Sequence, residues 1–165
     1  MVSPVVVVLA GPQASGKSTL AAGLANERRR RGESVALVEL DQIAAMALPT
    51  LPSWRIAHRV FELVVREWAT EDMSCVIAEG SGSAVEVAGL RSALPAAAPL
   101  LTVAVSVTLP VAYERAQRAA SRGISRQYDF LEDVYQRWPG ELAVGALRKG
   151  DQFCSLKRGP QFLGR

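Results

Sequence analysis

Lysine, histidine and cysteine are scarce in this chain of 165 residues. Of 19 cationic side chains only Lys17, Lys149 and Lys157 are lysines, His58 is the one histidine, and Cys75 and Cys154 are the two cysteines. Two cysteines so far apart make neither a zinc ribbon nor a disulfide framework, so reduced thiols in a cytoplasmic protein are expected. Cys75 lies in an apolar stretch and reads as a small core residue. A lone histidine carries little weight as a catalytic group. Unbroken hydrophobic runs of membrane-spanning length are missing too. Ser92 to Tyr113 holds no charge, but Pro95, Pro99 and Pro110 interrupt it. Val5 to Ala10 is too short to span and has no cationic region before it. Repeats, linkers and low-complexity tracts are absent, and 49% hydrophobic against 21% charged residues excludes a disordered chain. The net charge of +3 is mild and hints only at some anionic partner.

What remains reads as a single domain over 1–165, long enough to bury roughly 70% of its unfolded surface. Val5 to Ala10 is a continuous β-branched run, as in a parallel strand covered on both faces. A glycine-rich turn follows, then a helix that ends at Arg28, Arg29, Arg30, Arg31 and Gly32, a cationic last turn before a glycine stop. Those four arginines read as a solvated helix end in preference to a nucleic-acid patch. Val35 to Leu40 is a second strand. Ser53 caps a helix running to about Trp68, with Ala57, Val60, Phe61, Val64 and Trp68 on one face. Cys75 to Ala78 is a third strand, and Val85 to Leu94 a short helix. Leu101 to Thr108, alternating with period two, is a fourth strand, and further helices open at Pro110 and Gln127. Strands alternating with helices predict an α/β fold around a parallel sheet. Gln152 to Leu156 is the one candidate for a fifth strand, in an atypical tail from about residue 150 to 165.

The strongest motif is Gly11-Pro12-Gln13-Ala14-Ser15-Gly16-Lys17-Ser18, the pattern G-x-x-x-x-G-K-[S/T], placed directly after a strand and before a helix. A chance match in a chain of this composition has odds of roughly 1 in 500. The glycines let the backbone curl so that successive N–H groups point inward at phosphate oxygens, with Gly11, Ala14, Ser15 and Gly16 as nucleotide-binding positions of the loop. The helix N-terminus adds positive potential there. Lys17 reaches the outer phosphates, and the Ser18 hydroxyl, beside Thr19, completes a magnesium shell. The motif therefore predicts a site for a nucleoside triphosphate with Mg2+.

Ligands of open parallel sheets bind at the carboxyl edge, and two acids stand there. Asp41 follows the second strand and Glu79 the third. Either fits a base that takes a proton from an attacking hydroxyl, or a carboxylate that holds magnesium-bound water. Gly80 and Ser81 permit close approach of a substrate. Arg55 and Arg59 lie on the polar side of the helix after Asp41 and suit an anionic acceptor. Arg115, Arg118 and Arg122 share one helical face, and a lid over about residues 115–128 would close them on a triphosphate, Arg118 and Arg122 above all.

These residues resemble the small P-loop kinases, the group that contains shikimate, gluconate, adenylylsulfate and uridine kinases, with chloramphenicol phosphotransferase and the zeta toxins nearby. The resemblance runs from about Val5 to Trp138. It rests on the phosphate loop, Asp41 after strand two, the Val76-Ile77-Ala78-Glu79-Gly80 strand end and the arginine lid. It implies a three-layer P-loop NTPase fold, ATP and magnesium held by Lys17 and Ser18, Asp41 orienting or deprotonating an acceptor hydroxyl, and Arg118 and Arg122 closing on the phosphates. Two departures matter. Glu39-Leu40-Asp41-Gln42 replaces the Asp-Gly-Asp-Asn run of adenylylsulfate kinases, and Gly80-Ser81-Gly82 replaces the triple glycine of shikimate kinases. No named acceptor transfers.

The expectation is thus a phosphotransferase that moves the terminal phosphoryl group of ATP to a hydroxyl of a small molecule, with no membrane or polynucleotide partner. Two alternatives stand beside it. One is a kinase or toxin acting on nucleic-acid ends or nucleotide sugars, and the other is a nucleotide switch or ATPase without an acceptor.

Overall fold

The computed structural model describes residues 4–118, 120–141 and 152–157. Its backbone runs β1 (Val5–Ala10), α1 (Lys17–Arg30), β2 (Val35–Glu39), α2 (Leu40–Ala45), α3 (Trp54–Thr70), β3 (Cys75–Glu79), α4 (Ala84–Ala93), β4 (Leu100–Ser106), α5 (Leu109–Arg118), a 3-10 segment (Ala120–Arg126), α6 (Tyr128–Glu141) and β5 (Gln152–Lys157). The strands form one sheet in the order β2-β3-β1-β4-β5, with every pair parallel. The candidate fifth strand is therefore present. The remainder of the C-terminal tail lies outside the described residues.

Side chains alternate across this sheet with the period of two that a pleat imposes. Val6, Val8, Ala36, Val38, Val76 and Ala78 meet α2, α3 and α4 on one face. Val7, Leu9, Val35, Cys75, Ile77 and Val105 meet Ala21 and Ala25 of α1 on the other. Both faces are covered, which is why the strands are nearly uniform in apolar residues. Phe61 of α3 and Leu90 of α4 are fully buried and fill the first layer. Burying such a side chain contributes about 1.5–3 kcal/mol. Cys75 is a buried free thiol of the core, as its context suggested.

Two features differ from the sequence reading. β2 ends at Glu39 and not at Leu40, so Asp41 stands in the first turn of α2, a six-residue helix whose N-cap makes no side-chain hydrogen bond. The buried face of α3 is Ala57, Phe61, Val65 and Ala69, while Trp68 is 44% exposed. Trp68, which helical spacing puts on that face, turns outward, and its neighbour Ala69 takes the buried position at that end of α3. Ser53 does cap α3, its hydroxyl accepting from the Arg55 N–H. No described helix is long and apolar enough to cross a membrane.

The connection leaving β1 runs over the α1 face, whereas those leaving β2 and β3 run over the opposite one. A crevice opens where connections diverge in this way, at the carboxyl ends of the strands. Register places Leu9 beside Glu79 and Glu39 beside Glu79, so both acids stand level with the last turn of β1.

Candidate active site

The loop Gly11–Gly16 turns from β1 into α1 at this crevice. Gly16 is left-handed (φ 96°) and stands at the N-cap of α1, so the helix opens on Lys17 with its free N–H groups toward the loop. Ala14 is the one described non-glycine residue with positive φ (60°), a conformation that costs about 1–2 kcal/mol. Packing holds it there. Its methyl group is buried among Val107, Ala112, Ala116 and Leu131 of the α5–α6 layer. Two long side chains brace the same loop: Arg115 Nη1 donates to the Ser15 carbonyl (3.1 Å) and Tyr135 Oη to the Gln13 carbonyl (3.1 Å). Loop curvature is thus fixed in advance of any ligand.

Beside the loop lies a cleft of about 280 Å³, lined by residues 13–19, Asp41, Glu79 and Ser125. Lys17 Nζ donates to the Pro12 carbonyl (3.2 Å) and sits 3.6 Å from Glu79 Oε1, both side chains being largely buried. Ser18 Oγ donates to the other Glu79 oxygen at 3.4 Å. Burial pulls the Lys17 ammonium below its ordinary range, against the opposing pull of Glu79 and Asp41. Burial likewise pushes the Glu79 carboxyl above the usual range, Lys17 working against it and the charges of Asp41 and Glu39 with it. Each partner is poorly compensated by the other, so an anionic ligand against Lys17 gains from charge that is already desolvated.

Ser18 and Glu79 together offer a hydroxyl and a carboxylate of the kind that hard divalent cations take. Among the described residues no three His, Cys, Asp or Glu side chains converge as a metal site. A magnesium ion that completes its shell with phosphate oxygens and water needs only one or two protein ligands. The donor set fits that cation.

The turn after β3 is built by a residue that the sequence reading passed over. Glu86, in the first turn of α4, is buried and accepts from Ser81 N–H (3.2 Å), Ser81 Oγ (3.0 Å) and Gly82 N–H (2.8 Å). Gly80 packs directly against that carboxylate. Gly82 is left-handed (φ 71°), with its α-carbon against Ala10. The Ser83-x-x-Glu86 spacing was the available signal, a capping-box pattern whose Ser83 hydroxyl does accept from the Glu86 N–H.

A second cavity, of about 380 Å³, lies between α3 and α4, lined by Arg55, His58, Arg59, Glu62, Ser83, Val85 and Glu86. It abuts the same β3–α4 turn as the cleft. The sequence-derived residues thus divide between two places. Ala14 to Thr19, Asp41 and Glu79 line the cleft, and Arg55 and Arg59 line the cavity. Gly80 and Ser81 form the turn that both approach.

The lid arginines fall differently. Arg115 braces the phosphate loop, Arg118 pairs with Glu114 on the exposed side of α5, and the Arg122 side chain lies outside the described residues. Ser125 of the 3-10 segment, which the sequence pattern did not single out, lines the cleft. Two carboxylates offset half the charge of the run Arg28 to Arg31. Arg28 pairs with Glu33, Arg30 and Arg31 pair with Glu27, and Arg29 donates to the Val35 carbonyl.

Comparison with solved structures fits this geometry. A sugar kinase from Janibacter sp. HTCC2649 superimposes with a TM-score of 0.62 at 18% identity, covering 96% of this chain and 88% of that one. A gluconokinase from Sinorhizobium meliloti 1021 gives 0.57 at 14% identity, covering 96% and 86%. The fold is that of the small P-loop kinases. The same fold recurs in the Pnkp1/Rnl/Hen1 RNA repair complex, with a TM-score of 0.64 at 14% identity over 86% of this chain and 47% of that one. No family model matches the sequence, and no curated protein matches it.

Proposed function

We propose that this P-loop kinase-like chain is an ATP- and magnesium-dependent phosphotransferase that moves the γ-phosphoryl group to a hydroxyl of a small molecule. One observation carries the reading: the braced phosphate loop, Lys17, Ser18, Asp41 and Glu79 share a single cleft. Loop amides and the α1 N-terminus bind the phosphate oxygens, and Lys17 neutralises the outer ones. Bound magnesium would supply charge neutralisation at the phosphates, with Ser18 and Glu79 as its protein side. Asp41 is exposed in the cleft, whereas Glu79 is buried against Lys17 and Ser18. Asp41 is accordingly the residue that orients the acceptor hydroxyl and takes its proton.

The acceptor oxygen forms a bond to the γ-phosphorus as the bond from that phosphorus to the β–γ bridging oxygen breaks. The electron pair leaves with ADP, and the hydroxyl proton passes to the Asp41 carboxylate. Rate comes chiefly from positioning and charge stabilisation. Arg118 and Arg122 would add charge from the lid, Arg118 on exchanging Glu114 for the developing phosphoryl charge. Arg55 and Arg59, which have no ion-pair partner among the described residues, would hold an acceptor at the second cavity.

ATP consumption across a library of sugars, sugar acids, nucleosides and antibiotics tests this reading. One compound should stimulate turnover, and Asp41→Asn should retain ATP binding but lose transfer. Normal turnover by Asp41→Asn would move the base to Glu79. The fold shared with an RNA repair assembly favours one further reading, phosphorylation of a nucleic-acid end. The locally paired Arg28–Arg31 run argues against a docking strip there. Polynucleotide binding that weakens steeply with salt would favour that reading.

A further inference from the structure

Among the described residues Glu86 forms no ion pair with a lysine or arginine, and its side chain is 0% exposed. Three donors reach it, the two N–H groups and the hydroxyl of the Ser81–Gly82 turn. His58 Nδ1 stands 3.4 Å from Oε2. His58 belongs to α3 and lines the second cavity, so this carboxylate ties the cavity wall to the turn after β3. The turn is itself tied to the triphosphate side. The Ser81 carbonyl accepts from the N–H of Gly11, the first residue of the phosphate loop (3.2 Å), and from Trp138 Nε1 of α6 (3.4 Å). One residue, Ser81, therefore has its N–H and hydroxyl on Glu86 and its carbonyl on the phosphate loop and the α5–α6 layer.

We propose that Glu86 is a positioning residue that couples the two sites: through Ser81 it sets the phosphate loop against the α3–α4 cavity, with His58 as its contact in that cavity. The proposal rests on the reading of residues 11–18 as a triphosphate site. A buried carboxylate serving three donors is costly to disturb, so any displacement of Gly11 on phosphate binding passes to the Ser81 turn as a unit. The turn then moves the Glu86 oxygens relative to His58. Contiguous hydrogen bonds of this kind are the physical means by which one site senses another.

Because His58 is the sole histidine of the chain, its ring resonance needs no assignment. The probe is magnesium with AMP-PNP, added at fixed pH to the full chain while the His58 Cε1–H signal is followed by NMR and binding is followed by calorimetry. The wild-type signal should move saturably, with the midpoint equal to the calorimetric dissociation constant. At saturating probe, Glu86→Gln should lose more than about half of that displacement, because an amide cannot accept from donors on both of its atoms. Ser81→Ala, which keeps Glu86, should also diminish it and serves if Glu86→Gln fails to fold. A field effect of the triphosphate charge alone would survive both substitutions. Full displacement in the folded variants, or a motionless wild-type signal despite calorimetric binding, overturns the coupling. Absence of calorimetric binding would instead refute the triphosphate reading on which it rests.

Discussion

Replacing Arg115 by alanine removes a brace from the phosphate loop without touching any group that would contact the nucleotide. The guanidinium donates to the Ser15 carbonyl at 3.1 Å across 100 residues of sequence, and the bond is only part-buried. A hydrogen bond from a charged donor contributes about 1.5–3 kcal/mol. Water can replace part of it at a half-exposed position, leaving about 1–2 kcal/mol of loop preorganisation lost, or roughly five- to thirtyfold in affinity. Arg118 makes the contrast. Its side chain is 54% exposed and paired with Glu114 one turn away, away from the cleft. Exposed pairs of this kind contribute about 0.3–0.5 kcal/mol, so Arg118→Ala should leave binding of AMP-PNP with magnesium within about twofold. Its effect should appear in kcat, where lid charge acts only in the transition state. Calorimetric titration of both variants, with stability measured alongside, checks this. An Arg118→Ala loss of affinity equal to that of Arg115→Ala would refute the assignment of bracing to one residue and closure to the other.

Gly82→Ala should destabilise the fold by about 2–5 kcal/mol, since the new Cβ would overlap the Ala10 methyl and φ is 71°. Gly32→Ala, with φ at 82° but open space around it, should cost only about 1 kcal/mol. Urea midpoints compare the two, and equal shifts would contradict the packing described. Burial raises the Glu79 carboxyl above its unfolded value of 4.5, so the folded chain holds that proton more readily than the unfolded one. This stabilisation is fully present below the unfolded value and is lost as pH rises through the raised folded value. Glu79→Gln should remove that decline from a plot of urea midpoint against pH, and an unchanged slope would show that Glu79 is not its source.

The strands were legible because a sheet covered on both faces needs little but apolar residues, and Val5 to Ala10 or Cys75 to Ala78 contain little else. The turn from β1 into α1 was legible because its glycines stand at fixed spacing, and Gly16 does take the left-handed conformation at the α1 N-cap. Short α2 was not, since six residues with no side-chain cap leave no periodic signal. The three- and four-residue spacing puts Arg115, Arg118 and Arg122 on one helical face, but α5 ends at Arg118 and Arg122 falls in the 3-10 segment beyond it. Which of them reaches the loop depends on a carbonyl 100 residues away, a relation that local sequence does not encode. Glu86 shows the opposite case. Its capping-box spacing was readable, but the carboxylate turned from the helix cap to Ser81 and Gly82, and only the fold of the β3–α4 turn decides that.

The central claim is that residues 11–18 hold a triphosphate, with Lys17 meeting its outer phosphates from a position already desolvated against Glu79. Titration of ATP with magnesium into wild type and Lys17→Ala tests it most directly. A charge-assisted contact in this setting contributes about 2–3 kcal/mol, so the variant should bind roughly 30- to 150-fold more weakly than a saturably binding wild type. Equal affinity of the two proteins, or no binding by the wild type, would contradict the account.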